Sequence, residues 1–93
     1  MNQSIGTPIR VTANGAANST ACNLSALTVT AKGADVNVQF TNGVGGDVLW
    51  EVEADASGGS HTVSFPSPIY FSAGVYVVID QPKNIVSVCV AIV

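Results

Sequence analysis

Between residues 36 and 41 the side chains alternate without a break. Val36, Val38 and Phe40 are apolar, whereas Asn37, Gln39 and Thr41 are polar. Successive side chains of a strand point to opposite faces, so this stretch predicts a half-buried strand with its valines and phenylalanine inward. The same period predicts Val48, Trp50 and Val52 toward the core, with Leu49, Glu51 and Glu53 opposite them. From His61 to Phe65 it places Val63 and Phe65 inside and Thr62 and Ser64 outside. It resumes at Val75, Val77 and Ile79, with Tyr76 and Val78 on the other face.

Other runs are less regular. A strand is expected over Ile9–Ala13 and a second over Cys22–Thr30. In the second, Cys22, Leu24 and Ala26 share one face but Leu27 and Val29 share the other, so either both faces are covered or a bulge switches them. Ile85 to Val93 is apolar on both faces and reads as a central or covered strand. "NGAANST", "AKGAD", "NGVGGD", "ADASGGS", "SAG" and "DQPKN" supply turns. Pro66 and Pro68 carry no N–H, so they should interrupt a ladder and make an extended corner between Phe65 and Ile69, where the chain changes sheet or direction. Beyond that corner, Ile69 and Phe71 point inward and Tyr70 outward.

These segments predict an all-β protein: a single antiparallel β-sandwich of about eight strands over residues 1–93, jelly-roll-like in form, with residues 1–8 a polar N-terminal arm. A small closed barrel is the second architecture. No stretch predicts a helix longer than a turn, and no internal repeat or domain boundary is present.

Composition narrows the functions. Three Lys or Arg stand against six Asp or Glu, giving a net charge of −3, so no basic patch exists to hold nucleic acid. Charged residues are 10% of the chain, against roughly a quarter in an average domain. Ser, Thr, Asn, Ala and Gly must therefore cover the surface, which suits a subunit packed against others. The apolar runs Val75–Ile79 and Val88–Val93 fall far short of the roughly 20 residues that cross a bilayer as a helix. "MNQSIGTPIR" lacks the basic start and apolar stretch of a secretory signal, so synthesis and residence in the cytoplasm, or release by lysis, are expected. Cys22 and Cys89 are too few for a metal site with one His; buried free thiols are favoured, although their pairing is not readable from spacing.

Reactive chemistry is sparse. His61 is the sole imidazole, and no nucleophile motif surrounds it, so an ordinary strand-start histidine is expected. The glycines of "NGVGGD" precede a strand and no lysine, which excludes a phosphate loop. Glu51, Glu53 and Asp55 share a face at about 7 Å spacing by strand geometry. That overlaps the separation of glycosidase acids, but the row lies opposite the presumed core face, so a solvated acidic edge outweighs Ca²⁺ binding, and both outweigh catalysis. No catalytic, cofactor-binding or metal-binding residue is assigned. Trp50 is either core, as its register favours, or a platform for sugar. Tyr70, Tyr76 and Val78 are the candidate assembly contacts, forming an apolar aromatic patch if their faces are outer ones. Ile5, in the arm, is the fourth candidate contact.

The pattern Phe65-Pro66-x-Pro68-Ile69-x-Phe71-Ser72-x-Gly74-Val75-Tyr76-Val77, together with "IRVTANG" from Ile9 to Gly15, resembles small virion-associated β-sandwich proteins of tailed bacteriophages. The two cysteines and the Glu51/Glu53 row depart from that pattern, so individual contacts do not carry over. The resemblance implies a non-enzymatic structural protein located in the virion after synthesis in the host cytoplasm. A capsid decoration or cement protein, bridging or coating major capsid protein subunits, is the expected role. Its partners would be the major capsid protein or other virion proteins, and the chain itself would be a homo-oligomer or lattice-bound. The alternatives are a tail, neck or fibre component, or a carbohydrate-binding host-attachment module.

Overall fold

The computed structural model describes residues 7–54 and 59–93 and arranges them in eight strands. These are β1 (Thr7–Val11), β2 (Gly15–Asn18), β3 (Cys22–Ala31), β4 (Val36–Asn42), β5 (Val48–Ala54), β6 (Gly59–Phe71), β7 (Val75–Ile79) and β8 (Ile85–Ile92). One sheet has the order β1-β8-β3-β6 and the other β2-β7-β4-β5. The antiparallel pairs β1·β8, β2·β7, β3·β6 and β4·β5 are nested, as in one long hairpin that has been wrapped on itself. Lateral pairing of β3 with β8 and of β4 with β7 closes the wrap into two sheets. This is the jelly-roll arrangement, so the expected sandwich is the observed one.

The core lies between the sheets. Leu24, Leu27, Val29, Val88 and Val90 from the first sheet meet Val36, Val38, Phe40, Val75 and Val77 from the second, all essentially inaccessible to solvent. The phase break in β3 is a bulge: pairing shifts between Leu24 and Ala26 against both neighbours. Ser25 is the residue skipped, and its hydroxyl donates to the Ala91 carbonyl oxygen at 3.0 Å. The bulge lets Cys22 and Leu24 share a core face with Leu27, Val29 and Ala31.

Side chains fasten the turns. Asn14 Oδ1 accepts the Ile79 N–H at 2.6 Å, and Asp80 Oδ1 accepts the Asn37 N–H at 2.8 Å. At the other end Asn42 Oδ1 accepts the Ala73 N–H at 2.7 Å, tying the β4–β5 loop to the β6–β7 turn. Pro82–Asn84 forms a single 3₁₀ turn before β8.

Several expectations need correction. Gly15–Asn18, read as part of a turn, is the short edge strand β2. The first strand runs over Thr7–Val11, so it takes in Thr7 and Pro8 of the expected arm and ends before Ala13, while residues 1–6 of that arm lie outside the described residues. Most informative is the proline stretch. Pro66 and Pro68 interrupt the ladder, since β3 pairs Leu24 with Ile69 and Ala26 with Ser64, leaving residues 65–68 unmatched. Yet the chain does not change sheet there: both halves of β6 stay on β3, and the prolines are tolerated because β6 is an edge strand whose outer side needs no donor. The sheet change comes later, at Ser72–Gly74, where β6 of one sheet gives way to β7 of the other.

Candidate functional site

The outer faces of the sandwich hold what the core does not explain. On the first sheet, pairing aligns Ser60 with Thr30 and Ser87, Thr62 with Thr28 and Cys89, and Ser64 with Ala26 and Ala91. The result is a surface of small side chains, in which Thr28 and Thr62 hydroxyls lie 3.2 Å apart and those of Thr30 and Ser60 lie 3.0 Å apart. Arg10, opposite Cys89, is the one charged group in that register among the described residues.

Tyr70 projects from β6 of this sheet and is 60% exposed. Tyr76 and Val78 stand on β7 of the other sheet, half-buried on its outer face. All three are outward, as expected, but they do not make one patch. The turn at Ser72–Gly74 carries the chain from one sheet to the other, so Tyr70 and the Tyr76/Val78 pair face away from opposite sides of the sandwich. Tyr76 lines a small cleft of about 120 Å³ with Ala16, Asn18, Val44 and Ala73. Val44, at the tip of the β4–β5 loop, is 79% exposed. Nothing in the sequence pattern marks Val44, because a lone valine in a glycine-rich loop has no periodicity to read. Ile5 lies outside the described residues.

The β5 expectation fails in part. Val52 is buried and Trp50 shares its inward face at 36% exposure, but Val48 is 45% exposed and Leu49 packs toward the core in its place. The cause at Val48 is a register shift between Phe40 and Thr41: Phe40 pairs with Trp50 but Thr41 with Val48, so Leu49 is an extra residue that reverses the phase ahead of Trp50. Trp50 keeps the inward phase of its partner Phe40 and is exposed because β5 is an edge strand. Trp50 meets Phe65 edge to face, with ring centroids 4.8 Å apart and planes at 86°. This pair closes the side of the sandwich between edge strands β5 and β6. An open groove of about 360 Å³ runs past Val48, Leu49, Trp50 and Glu51.

Glu51 and Glu53 are exposed, opposite Gln39 and Asn37 on the outer face of the second sheet; Asp55 lies outside the described residues. Among the described residues no three His, Cys, Asp or Glu side chains gather as metal ligands. His61 is exposed on the edge strand β6.

Cys22 and Cys89 are both free. Cys89 pairs with Thr28, six residues along β3 from Cys22, which is about 20 Å of strand and far beyond disulfide reach. Burial pushes the Cys22 thiol above its ordinary pKa, against weaker opposing hydrogen bonds to the Val75 backbone and the Asn18 side chain.

Among the described residues no helix is long and apolar enough to cross a membrane. Comparison of the chain with family profiles, with curated protein sequences and with solved structures finds no match.

Proposed function

We propose that the chain is a non-enzymatic structural protein of a tailed-bacteriophage particle, a decoration or cement protein bound to the major capsid protein. The observation that supports this best is the two-sided display of aromatic and apolar contacts: Tyr70 from one sheet, Tyr76 and Val78 from the other. A jelly roll with a contact on each face can touch two neighbours at once, which is what bridging requires. Jelly rolls recur in viral capsid domains, and a symmetric lattice multiplies a weak contact by its copy number. The low charge fits a surface that spends its time covered. Re-addition of purified protein to particles stripped of it provides the test. Tyr70→Ser and Tyr76→Ser should each weaken rebinding, and the double change should abolish it while the isolated fold persists. Unaltered rebinding by the double variant refutes the assignment of these contacts.

A second reading, a carbohydrate-binding host-attachment module, has one observation in its favour: the partly exposed indole of Trp50 at the β5 groove. An exposed aromatic face is what a sugar ring stacks on. Binding to a glycan array that disappears in Trp50→Ala would favour this reading over the first.

A further inference from the structure

A two-sheet sandwich has four edge strands, and each unpaired edge is a template for another strand unless something blunts it. Here three are blunted. On β1, Pro8 removes a donor. The β2 edge is four residues long and irregular between Ala16 and Asn18. On β5, Glu51 and Glu53 supply charge and the extra residue Leu49 breaks the register. The fourth, β6, is blunted only over Phe65–Pro68. From Ser60 to Ser64 it runs regularly along β3, without proline or carboxylate, and its other side has no partner among the described residues.

A second feature lies directly beneath that open stretch. Val63 and Phe65 are only partly buried, and Trp50, which packs on Phe65, is 36% exposed. These side chains continue the core but stop at its open side. An added strand next to β6 would satisfy its main-chain groups and cover this apolar rim in one step.

We propose that Ser60–Ser64 is a two-fold interface at which β6 pairs antiparallel with β6 of a second copy of this chain, joining two four-stranded sheets into one of eight. The occupant follows from self-complementarity. An antiparallel pair of identical strands is isologous, so one unblunted edge is sufficient for both partners. The stretch is centred on Thr62, so symmetric pairing sets Thr62 opposite the partner's Thr62 and Ser60 opposite the partner's Ser64, extending the small-residue surface. His61 then faces the partner's Val63 on the core side. No carboxylate or ammonium meets its like anywhere in that register, whereas pairing through β5 would set Glu51 and Glu53 against one another. This inference stands independently of any role in a phage particle.

Light scattering after size exclusion, on the purified full chain, reads the outcome. The wild-type protein should elute at twice the 9.4 kDa monomer mass. Thr62→Lys sets two ammonium groups across the axis and should weaken self-association roughly 5- to 10-fold at low salt, with partial recovery at high salt. Ala13→Lys, an exposed change beside the far edge strand β1, should leave the dimer intact. Circular dichroism on each variant confirms the fold. Thr62→Cys gives an independent reading, because directly opposed residues in an antiparallel pair lie within disulfide range. Mild oxidation should link two chains through the introduced thiols, located by peptide mapping. A monomer at millimolar concentration, a dimer indifferent to Thr62→Lys, or failure of the introduced thiols to cross-link would each overturn the proposal.

Discussion

Gly74 sits where three segments converge, and replacing it with alanine isolates what that convergence demands. Its φ is +91°, a backbone region that L side chains rarely adopt, and a Cβ added there would overlap the Asn18 carbonyl oxygen and lie 2.9 Å from the Ser19 carbonyl carbon. Its own carbonyl accepts the Gly43 N–H at 2.9 Å, so the β6–β7 turn cannot back away from β2 without loosening the β4–β5 loop. The conformational part costs about 1–2 kcal/mol. Displacing packed backbone adds about 1–3 kcal/mol. Gly33→Ala is the internal control: φ is +82°, but nothing stands within 4 Å of the added Cβ, so only the conformational part applies. Urea denaturation followed by circular dichroism should therefore show Gly74→Ala destabilised by about 2–5 kcal/mol and Gly33→Ala by about 1–2 kcal/mol. For a domain of this size the larger loss lowers Tm by roughly 10 °C or more. Equal losses in the two variants would refute the claim that close approach to Asn18 and Ser19, beyond positive φ, requires glycine at position 74.

Other outcomes follow from the same geometry. Phe40→Ala empties the centre of the core and should cost about 3–5 kcal/mol in the same denaturation assay, with Gln39→Ala on the outer face near zero. Cys22 should resist alkylation in the native protein at neutral pH, since its thiol is buried and its pKa raised. Reaction of Cys22 should accelerate only as pH climbs past the ordinary thiol range or as the chain unfolds; mass mapping of time-quenched samples checks this. Pro66→Ala should leave stability within about 1 kcal/mol, because residues 65–68 make no ladder pairs with β3; a cooperative loss larger than that in thermal melts would show that the proline ring itself is needed.

How much of this was legible in advance differs from strand to strand. β4 and β7 read cleanly because both are central strands flanked on each side, so their alternation maps directly onto inside and outside. In β3 the conflict between Leu24 and Leu27 left a bulge and two covered faces equally open, and only pairing shows that it is a bulge and that it falls at Ser25. β5 misled at Val48 because alternation assumes an unbroken register, and a single extra residue, Leu49, reversed it ahead of Trp50. Pro66 and Pro68 correctly signalled a broken ladder, but a sequence does not distinguish a bulge within an edge strand from a crossing between sheets. The same ambiguity at Ser72–Gly74 hid the fact that Tyr70 and Tyr76 face opposite ways. Outwardness is a local property, readable at each tyrosine; sharing a patch depends on topology, which is not local. The open β6 edge was invisible for that reason too, since only the order of strands in the sheet shows which sides lack a neighbour.

On the reading we propose, this jelly roll is held between other proteins of a virus particle. Cryo-electron microscopy of purified particles from its source, with their protein content checked by mass spectrometry, tests it most directly. Ordered density for the sandwich at many symmetric positions on the capsid, with Tyr70 and Tyr76 each against a neighbouring subunit, is the predicted result. Density confined to the tail or neck would contradict the capsid role, and absence of the chain from particles would contradict a structural role in the virion altogether.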